Sequence, residues 1–326
     1  MNQIEGKRIL ITGGTGSLGT ALVQRLLSGQ AGDPAAVTIF SRDELKQSQL
    51  KAQHGDDSRL KFIIGDVRDR CAVELALQNV DVLFNAAALK RVEACQRFPS
   101  EAIKTNCLGT IHIVETIQKY KLPVEVVVGV SSDKGCHPVN NYGATKLLQE
   151  RILLAANENC PNTRFISVCY GNVIASRGSV IPIFQGQIKE GKPLTIHDPN
   201  MTRFLITLEQ SVDALIEGLN NANMGEVYVP VTPSATVGDI ADVLIDGRAM
   251  GKVYVGKERG EKMHEVLINE VDVNRVILRD GYYVVTPEIQ ASPAIKEEYN
   301  SKNYLVGKEQ LRQIFSELGL LIEGEQ

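Results

Sequence analysis

Tyr142 and Lys146 stand at i and i+4, a spacing that puts both side chains on one face of a helix. An ammonium beside a phenol favours the phenolate, so a tyrosine that ordinarily ionises near pH 10 becomes able to accept a proton at neutral pH. Upstream, the apolar run Val124–Val130 ends in Ser131-Ser132, hydroxyls able to orient a substrate oxygen. Asp133 and Lys134 follow directly. Oxidising an alcohol needs a hydride acceptor, a base and a hydroxyl donor, and has no evident use for this further ionisable pair. An elimination does: once a carbon is oxidised, the neighbouring C–H becomes acidic, and loss of an adjacent hydroxyl calls for a second base and a second acid. Asp133 and Lys134 can take those opposite roles on one substrate only if their loop turns.

The hydride acceptor has its own signature. Thr12-Gly13-Gly14-Thr15-Gly16-Ser17-Leu18-Gly19 follows the strand-like Arg8–Ile11 and precedes the helical pattern Ala21–Leu27. Gly13, Gly16 and Gly19 at that junction permit a tight turn, close backbone approach to a pyrophosphate and helix packing, the arrangement of a dinucleotide site. The second strand-like run, Ala36–Phe40, leads into Ser41-Arg42. Arg42, with Ser41 and Lys46, suits the 2′-phosphate of NADP, whereas the adjacent Asp43 would suit the free ribose of NAD. Gly65-Asp66-Val67 and Asn85-Ala86-Ala87-Ala88 each follow a further strand at its C-terminal end, where open α/β sheets bind ligands.

The elements that must position these groups alternate. Strands are expected at 61–64, 82–85, 124–130 and 164–168, with helices at 72–77, 99–120 and 142–157. This pattern indicates a Rossmann-like, doubly wound parallel sheet of the α/β class with a smaller α+β substrate-binding domain. Past about residue 172 turns become frequent. The helix 208–219 and strand 226–229 are expected to return to the first domain. The division is therefore 1–172 plus about 204–232 for the dinucleotide, and about 173–203 plus 233–326 for the substrate. The chain of 326 residues is 43% apolar and 23% charged with a net charge of -4, an ordinary globular composition that argues against a nucleic-acid partner. Its six cysteines include no C-x-x-C pair, and no metal site is expected. The N-terminus lacks an apolar signal core and no run approaches a membrane span, so the expectation is a cytoplasmic protein without a membrane partner.

As an ordered set, the glycine turn, Phe40–Gln47, Ala86–Lys90, Lys104-Thr105-Asn106, Ser131–Lys134, Asn141–Lys146, Tyr170–Val173, Ser176–Val180 and Met201–Phe204 resemble one family. It is the inverting UDP-N-acetylglucosamine 4,6-dehydratases of the extended short-chain dehydrogenase/reductase superfamily, and the resemblance covers about residues 7 to 290. It implies tightly held NADP, with Tyr142 taking the proton of the sugar 4-hydroxyl, Lys146 tuning Tyr142, Lys134 removing the C5 proton and Asp133 protonating the departing 6-hydroxyl. The product would be UDP-2-acetamido-2,6-dideoxy-β-L-arabino-hex-4-ulose, of the kind that feeds pseudaminic-acid-type surface sugars. Around the cofactor the resemblance places Gly13, Thr15, Gly16, Ser17, Leu18, Gly19, Ser41, Arg42, Lys46, Asp66, Val67, Ala86, Ala87, Ala88, Lys90, Asn106 and Ser131, together with Tyr142 and Lys146. Around the UDP-sugar it places Lys90, Ser132, Tyr142, Asn172, Arg177, Ser179, Val180, Met201, Arg203, Arg259 and Glu261. A homo-oligomer, dimer to hexamer, is expected by the same analogy.

The chain departs from the family pattern at several points. Cys169 stands where arginine is usual before Tyr170-Gly171-Asn172, Arg91 stands where histidine is common, Arg259 falls one place late, and Cys136-His137 is an unusual pair read as loop variation. A UDP-sugar 4-epimerase would need only Tyr142, Lys146 and the cofactor. A C5-retaining dehydratase is a further alternative, although several retaining relatives carry Met at the position of Tyr142. A catalytically silent, cofactor-sensing scaffold is the non-enzymatic alternative.

Overall fold

The computed structural model describes residues 2–176 and 178–322. Its main sheet is built from β1 (Arg8–Thr12), β2 (Ala36–Ser41), β3 (Leu60–Ile64), β4 (Val82–Asn85), β5 (Val126–Ser132), β6 (Arg164–Tyr170), β7 (Val227–Pro230), β8 (Val276–Arg279) and β9 (Tyr282–Val285). They lie in the order β8-β9-β7-β6-β5-β4-β1-β2-β3, parallel from β7 to β3. The helices are α1 (Ser17–Leu27), α2 (Glu44–His54), α3 (Arg70–Ala76), α4 (Gly109–Tyr120), α5 (Asn141–Ala155), α6 (Val180–Lys189), α7 (Leu208–Asn221), α8 (Val237–Ile245) and α9 (Lys308–Glu317).

Successive side chains of a strand point to opposite faces, and here both faces are apolar. Ile9, Ile11, Val37, Ile39, Val82, Phe84, Val126 and Val128 pack with Leu22 and Leu26 of α1 and Leu215 and Leu219 of α7. Their neighbours Leu10, Phe40, Leu83, Val127 and Phe165 pack with Val73, Ile113, Ile117 and Leu153 on the other side. These strands therefore read as continuous apolar runs, which is what parallel strands covered twice require. A separate core gathers Ile181 and Phe184 of α6, Leu194, Ile196 and Leu205, Ile240 and Leu244 of α8, and Leu311 and Phe315 of α9.

Two segments differ from the sequence expectation. Residues 276–285, expected in the substrate part, extend the main sheet: β8 and β9 form a hairpin that pairs antiparallel with β7. Asp280 and Gly281 at its tip have φ of 49° and 84°, the paired left-handed conformation of a tight hairpin turn. The helix expected over 99–120 is interrupted. A short helix Pro99–Ala102 passes into a π-helical segment Ile103–Leu108 before α4 begins. No helix among the described residues is long and apolar enough to cross a membrane.

Candidate active site

Strand order reverses between β1 and β4: β1 runs on to β2 and β3 on one side, while β4 lies on the other. That reversal opens a crevice at the C-terminal edge of the sheet. Its two lips touch through Gly13, whose φ is +68° and where a Cβ would lie 2.9 Å from the backbone of Ala87. Thr12 and Asn85 brace the lips: the Thr12 hydroxyl donates to Asn85 Oδ1 (2.8 Å) and accepts from the Ala87 amide (3.2 Å). Gly16 caps α1 with no side chain, which leaves the first-turn amides directed at the crevice.

A cleft of about 2130 Å³ runs from this crevice past the ends of β5 and β6 to α6 and the segment 258–265. Small-molecule pockets usually measure roughly 300–1,000 Å³, so the cleft has room for two ligands side by side. Of the residues assigned in the sequence to catalysis, cofactor or substrate, Arg177 lies outside the described residues, and all the others except Asn106 line this one cleft. Asn106 is fully buried behind it. Its amide accepts from the Leu89 N–H (2.7 Å) and donates to the Leu89 carbonyl (3.1 Å) and the Thr145 hydroxyl (2.8 Å), so it clamps the loop after β4 to α5 and has no direct contact to offer. Asn106 lies within the π-helical segment, and such bulges commonly occur at functional sites.

Asp133 and Lys134 reach the cleft because their loop turns sharply. The Gly135 N–H donates to the Ser132 carbonyl at 2.8 Å, closing a turn with Asp133 and Lys134 at its centre. The turn then packs on the first turn of α5, where a Cβ on Gly143 would meet the Lys134 carbonyl oxygen at 2.1 Å. Asn140 caps α5 by accepting from the Gly143 N–H at 2.8 Å and donates to the Gly260 carbonyl at 2.9 Å. The Lys134 ammonium donates to Asp133 Oδ2 at 2.8 Å, and the Ser132 hydroxyl donates to Asp133 Oδ1 at 2.7 Å. Burial works against the Lys134 charge, but Asp133 and Glu265 outweigh it against the opposition of Arg203, so its pKa lies above the ordinary value.

Tyr142 and Lys146 share the face of α5 that looks into the cleft, yet the expected electrostatics differ. Burial and the Asp133 carboxylate push the Tyr142 phenol up to about 12, while Ser132 and Lys134 pull the other way. The Lys146 ammonium is engaged elsewhere, donating to the Val130 carbonyl and to Gln149 Oε1. Burial also brings Lys146 down to about 8. The cation that opposes the rise of Tyr142 in this structure is Lys134, because Lys146 spends its hydrogen bonds on β5 and on its own helix. Cys136 is pushed up to about 12, chiefly by burial, which leaves it a neutral thiol at physiological pH.

At the outer end of the crevice, Ser41, Arg42 and Lys46 line one wall. Arg42 is 58% exposed and lies 3.6 Å from Asp66, while Lys46 pairs with Asp43 at 2.8 Å. At the other end the buried oxygens Asn172 Oδ1 and Ser179 Oγ have no hydrogen-bond partner among the described residues, an arrangement that a polar ligand would satisfy. Arg203 lines the cleft while donating to the Thr202, Lys262 and Met263 carbonyls and to Met201 Sδ. Arg259 lines it despite its shifted place in the sequence, and Glu261 pairs with His197 at 2.8 Å. Sequence reasoning missed His197, Lys262 and Glu265. All three line the cleft and come from segments distant in the chain from the loop at Asp133. Lys262 donates to the Asp133 carbonyl at 2.9 Å. Among the described residues, no group of His, Cys, Asp and Glu side chains is placed to hold a metal ion.

The sequence and fold match known proteins along most of the chain. The family model described as polysaccharide biosynthesis protein matches residues 9–287. A protein of Rickettsia prowazekii (strain Madrid E) named UDP-glucose 4-epimerase is 41% identical over 282 residues, 85% of this chain and 82% of its own. A UDP-N-acetylglucosamine 4,6-dehydratase (inverting) of Campylobacter jejuni subsp. jejuni serotype O:23/36 (strain 81-176) is 38% identical over 288 residues, 87% of this chain and 84% of its own. Among solved structures, Pen from Bacillus thuringiensis superposes with a TM-score of 0.89 at 34% identity, covering 98% of this chain and 99% of that one. With the family model spanning the whole of the sheet and the cleft-lining segments, the chain belongs to the polysaccharide biosynthesis protein family.

Proposed function

We propose that the protein is an NADP-dependent UDP-N-acetylglucosamine 4,6-dehydratase that inverts C5. The observation that carries this reading is the turn at Asp133-Lys134, which sets a carboxylate and an ammonium 2.8 Å apart in the cleft that also holds Tyr142 and Lys146. The crevice fits a dinucleotide: a Cβ on Gly13 or Gly19 would collide with backbone, and the α1 amides face the position of a pyrophosphate. Gly13–Gly19, Ala86–Ala88 and Ser131 would hold it, with Ser41, Arg42 and Lys46 about the 2′-phosphate. When bound, NADP⁺ would supply a hydride acceptor and donor.

The proton ledger of the side chains then closes. Tyr142, as phenolate, takes the proton of the 4-hydroxyl as C4 is oxidised. The neutral amine of Lys134 takes the C5 proton, now acidified by the ketone, while the C5–H electrons form the C5=C6 double bond. The C6–O bond breaks, and the carboxylic acid of Asp133 gives its proton to the departing hydroxyl as water. To complete the reaction Tyr142 would deliver its proton to the opposite face of C5 and become phenolate again. The pair is left as ammonium and carboxylate, the state that the raised Lys134 pKa favours, and one proton crossing the 2.8 Å contact restores the amine and acid that the next elimination uses. Asn172, Ser179, Val180, Met201, Arg203, Arg259 and Glu261 would hold the UDP-sugar, with Lys90 and Ser132 near the sugar.

A UDP-sugar 4-epimerase is the second reading, favoured by the name of the Rickettsia relative. One experiment separates the two. With UDP-N-acetylglucosamine in deuterated water and no added cofactor, NMR should show a new C6 methyl group, deuterium at C5 and the inverted C5 configuration. A 4-epimer free of deuterium, from this sugar or from UDP-glucose, would establish the epimerase instead.

The cofactor assignment makes its own prediction. Arg42→Ala removes one charge-assisted contact to a 2′-phosphate, a loss of about 1.5–3 kcal/mol. NADP affinity should fall roughly ten- to a hundredfold, while NAD affinity stays within a few-fold. Equal losses for both, read by calorimetric titration, would assign the site to NAD.

A further inference from the structure

No catalytic or binding role falls to Glu265 from the sequence, yet it is 1% exposed and lies on the wall of the cleft. Its backbone is locked: the Glu265 N–H donates to the Ser301 hydroxyl and its carbonyl accepts from the Ser301 N–H, both at 2.8 Å. Its side chain faces three cations. Oε1 lies 2.9 Å from the Lys134 ammonium and 3.8 Å from Arg203 Nε, and Oε2 lies 3.5 Å from the Lys262 ammonium. Most buried side-chain polar atoms have a hydrogen-bond partner. Among the described residues Oε2 has no hydrogen-bond partner, so the carboxylate is held by charge more than by fitted donors.

We propose that Glu265 is a positioning residue for the elimination: its carboxylate reaches across from the C-terminal segment to hold Lys134 and stabilise the ammonium that forms when Lys134 takes the C5 proton. The inference rests on the dehydratase reading above. Without Glu265, Lys134 would retain Asp133 as its carboxylate neighbour and would face Arg203 and Lys262 uncompensated, with the Tyr142 phenol and the Cys136 thiol as the remaining titratable groups nearby. Arg203 and Lys262 are then tolerated beside a residue that must become cationic, because Glu265 stands among all three. The same three cations, Lys134 first, keep the Glu265 carboxyl ionised despite its burial.

The test reads the charge on Lys134 directly. Competitive acetylation with acetic anhydride across a pH series, quantified by mass spectrometry, gives the midpoint at which Lys134 becomes a reactive amine. Removing an opposite charge at this range moves such a midpoint by about one to three pH units. Glu265→Gln should therefore lower the Lys134 midpoint by about that amount, and Glu265→Asp should restore most of it. With UDP-N-acetylglucosamine, Glu265→Gln should also slow C5 deuterium uptake at least tenfold through kcat with little change in KM. An unchanged midpoint in folded Glu265→Gln protein overturns the proposal. Should that variant not fold, Glu265→Asp, which keeps the charge but shortens its reach to Lys134, must lower the midpoint by a smaller amount, and a midpoint that stays or rises is equally fatal. Acetylation requires no turnover, so a shifted midpoint in a protein that makes no dehydrated sugar refutes the dehydratase reading alone. A fixed midpoint in an active dehydratase refutes the role of Glu265 alone.

Discussion

Lys134→Met will abolish formation of the 6-deoxy-4-keto sugar while leaving the bound cofactor in place. Methionine keeps most of the length of the chain and removes the nitrogen, so the packing of the turn on Gly143 survives and the base does not. General acid–base contributions of this kind are worth roughly 10²–10⁴ in rate, and no other amine lies within reach of Asp133 Oδ2 at 2.8 Å among the described contacts. Lys262 is committed to the Asp133 carbonyl and cannot take the role without leaving it. Tyr142 and Lys146 remain, so oxidation at C4 continues, slowed by the loss of the cation that opposes the rise of the Tyr142 phenol. The variant mixed with UDP-N-acetylglucosamine should accumulate reduced cofactor, seen as absorbance at 340 nm, with no deuterium at C5. Turnover within threefold of the parent would remove Lys134 from the mechanism. Absence of both turnover and reduced cofactor would place its role in binding.

The contrast between Lys134 and Lys146 shows what spacing can and cannot convey. The i, i+4 relation of Tyr142 and Lys146 was legible because a helix fixes it locally, and α5 does bring both to the cleft. Which group Lys146 would touch was not legible, since the Val130 carbonyl belongs to β5 and is brought there only by the packing of α5 on the sheet. The electrostatic partner of Tyr142 turned out to lie on the preceding loop, folded back through the Ser132–Gly135 turn. Glu265 was hidden for the same reason in stronger form, because it meets Lys134 only when the C-terminal segment crosses the mouth of the cleft. Local punctuation was present even where it was not used. Asp280-Gly281 between two β-rich runs is a hairpin signal, but nothing local says that the hairpin joins the edge of the main sheet at β7. The strand-turn-helix at Gly13–Gly19 is the opposite case, in which local sequence, register and chemistry coincide.

That coincidence makes Gly19→Ala the substitution with the largest expected structural effect. An added Cβ would lie 2.5 Å from Gly14 Cα and 2.6 Å from its carbonyl carbon and oxygen, distances at which backbone must move. The atoms in the way belong to the turn itself, so relief comes only by lifting α1 from the turn or by opening the turn. Overpacking costs typically about 1–3 kcal/mol, and the methyl opposes the gain that alanine ordinarily brings to a helix. Either relief displaces the first-turn amides that would face a pyrophosphate. The variant should therefore melt several degrees lower and emerge from purification with little cofactor, measured by absorbance of the acid-released nucleotide. Gly186→Ala supplies the control, because Gly186 is also a helical glycine, in α6, with nothing within 4 Å of its Cβ position. There the same methyl should stabilise by roughly 0.5–1 kcal/mol and leave cofactor content unchanged. If Gly19→Ala behaves like Gly186→Ala on both measurements, the turn is not the cofactor cradle, and the hydride chemistry assigned to this cleft loses its foundation.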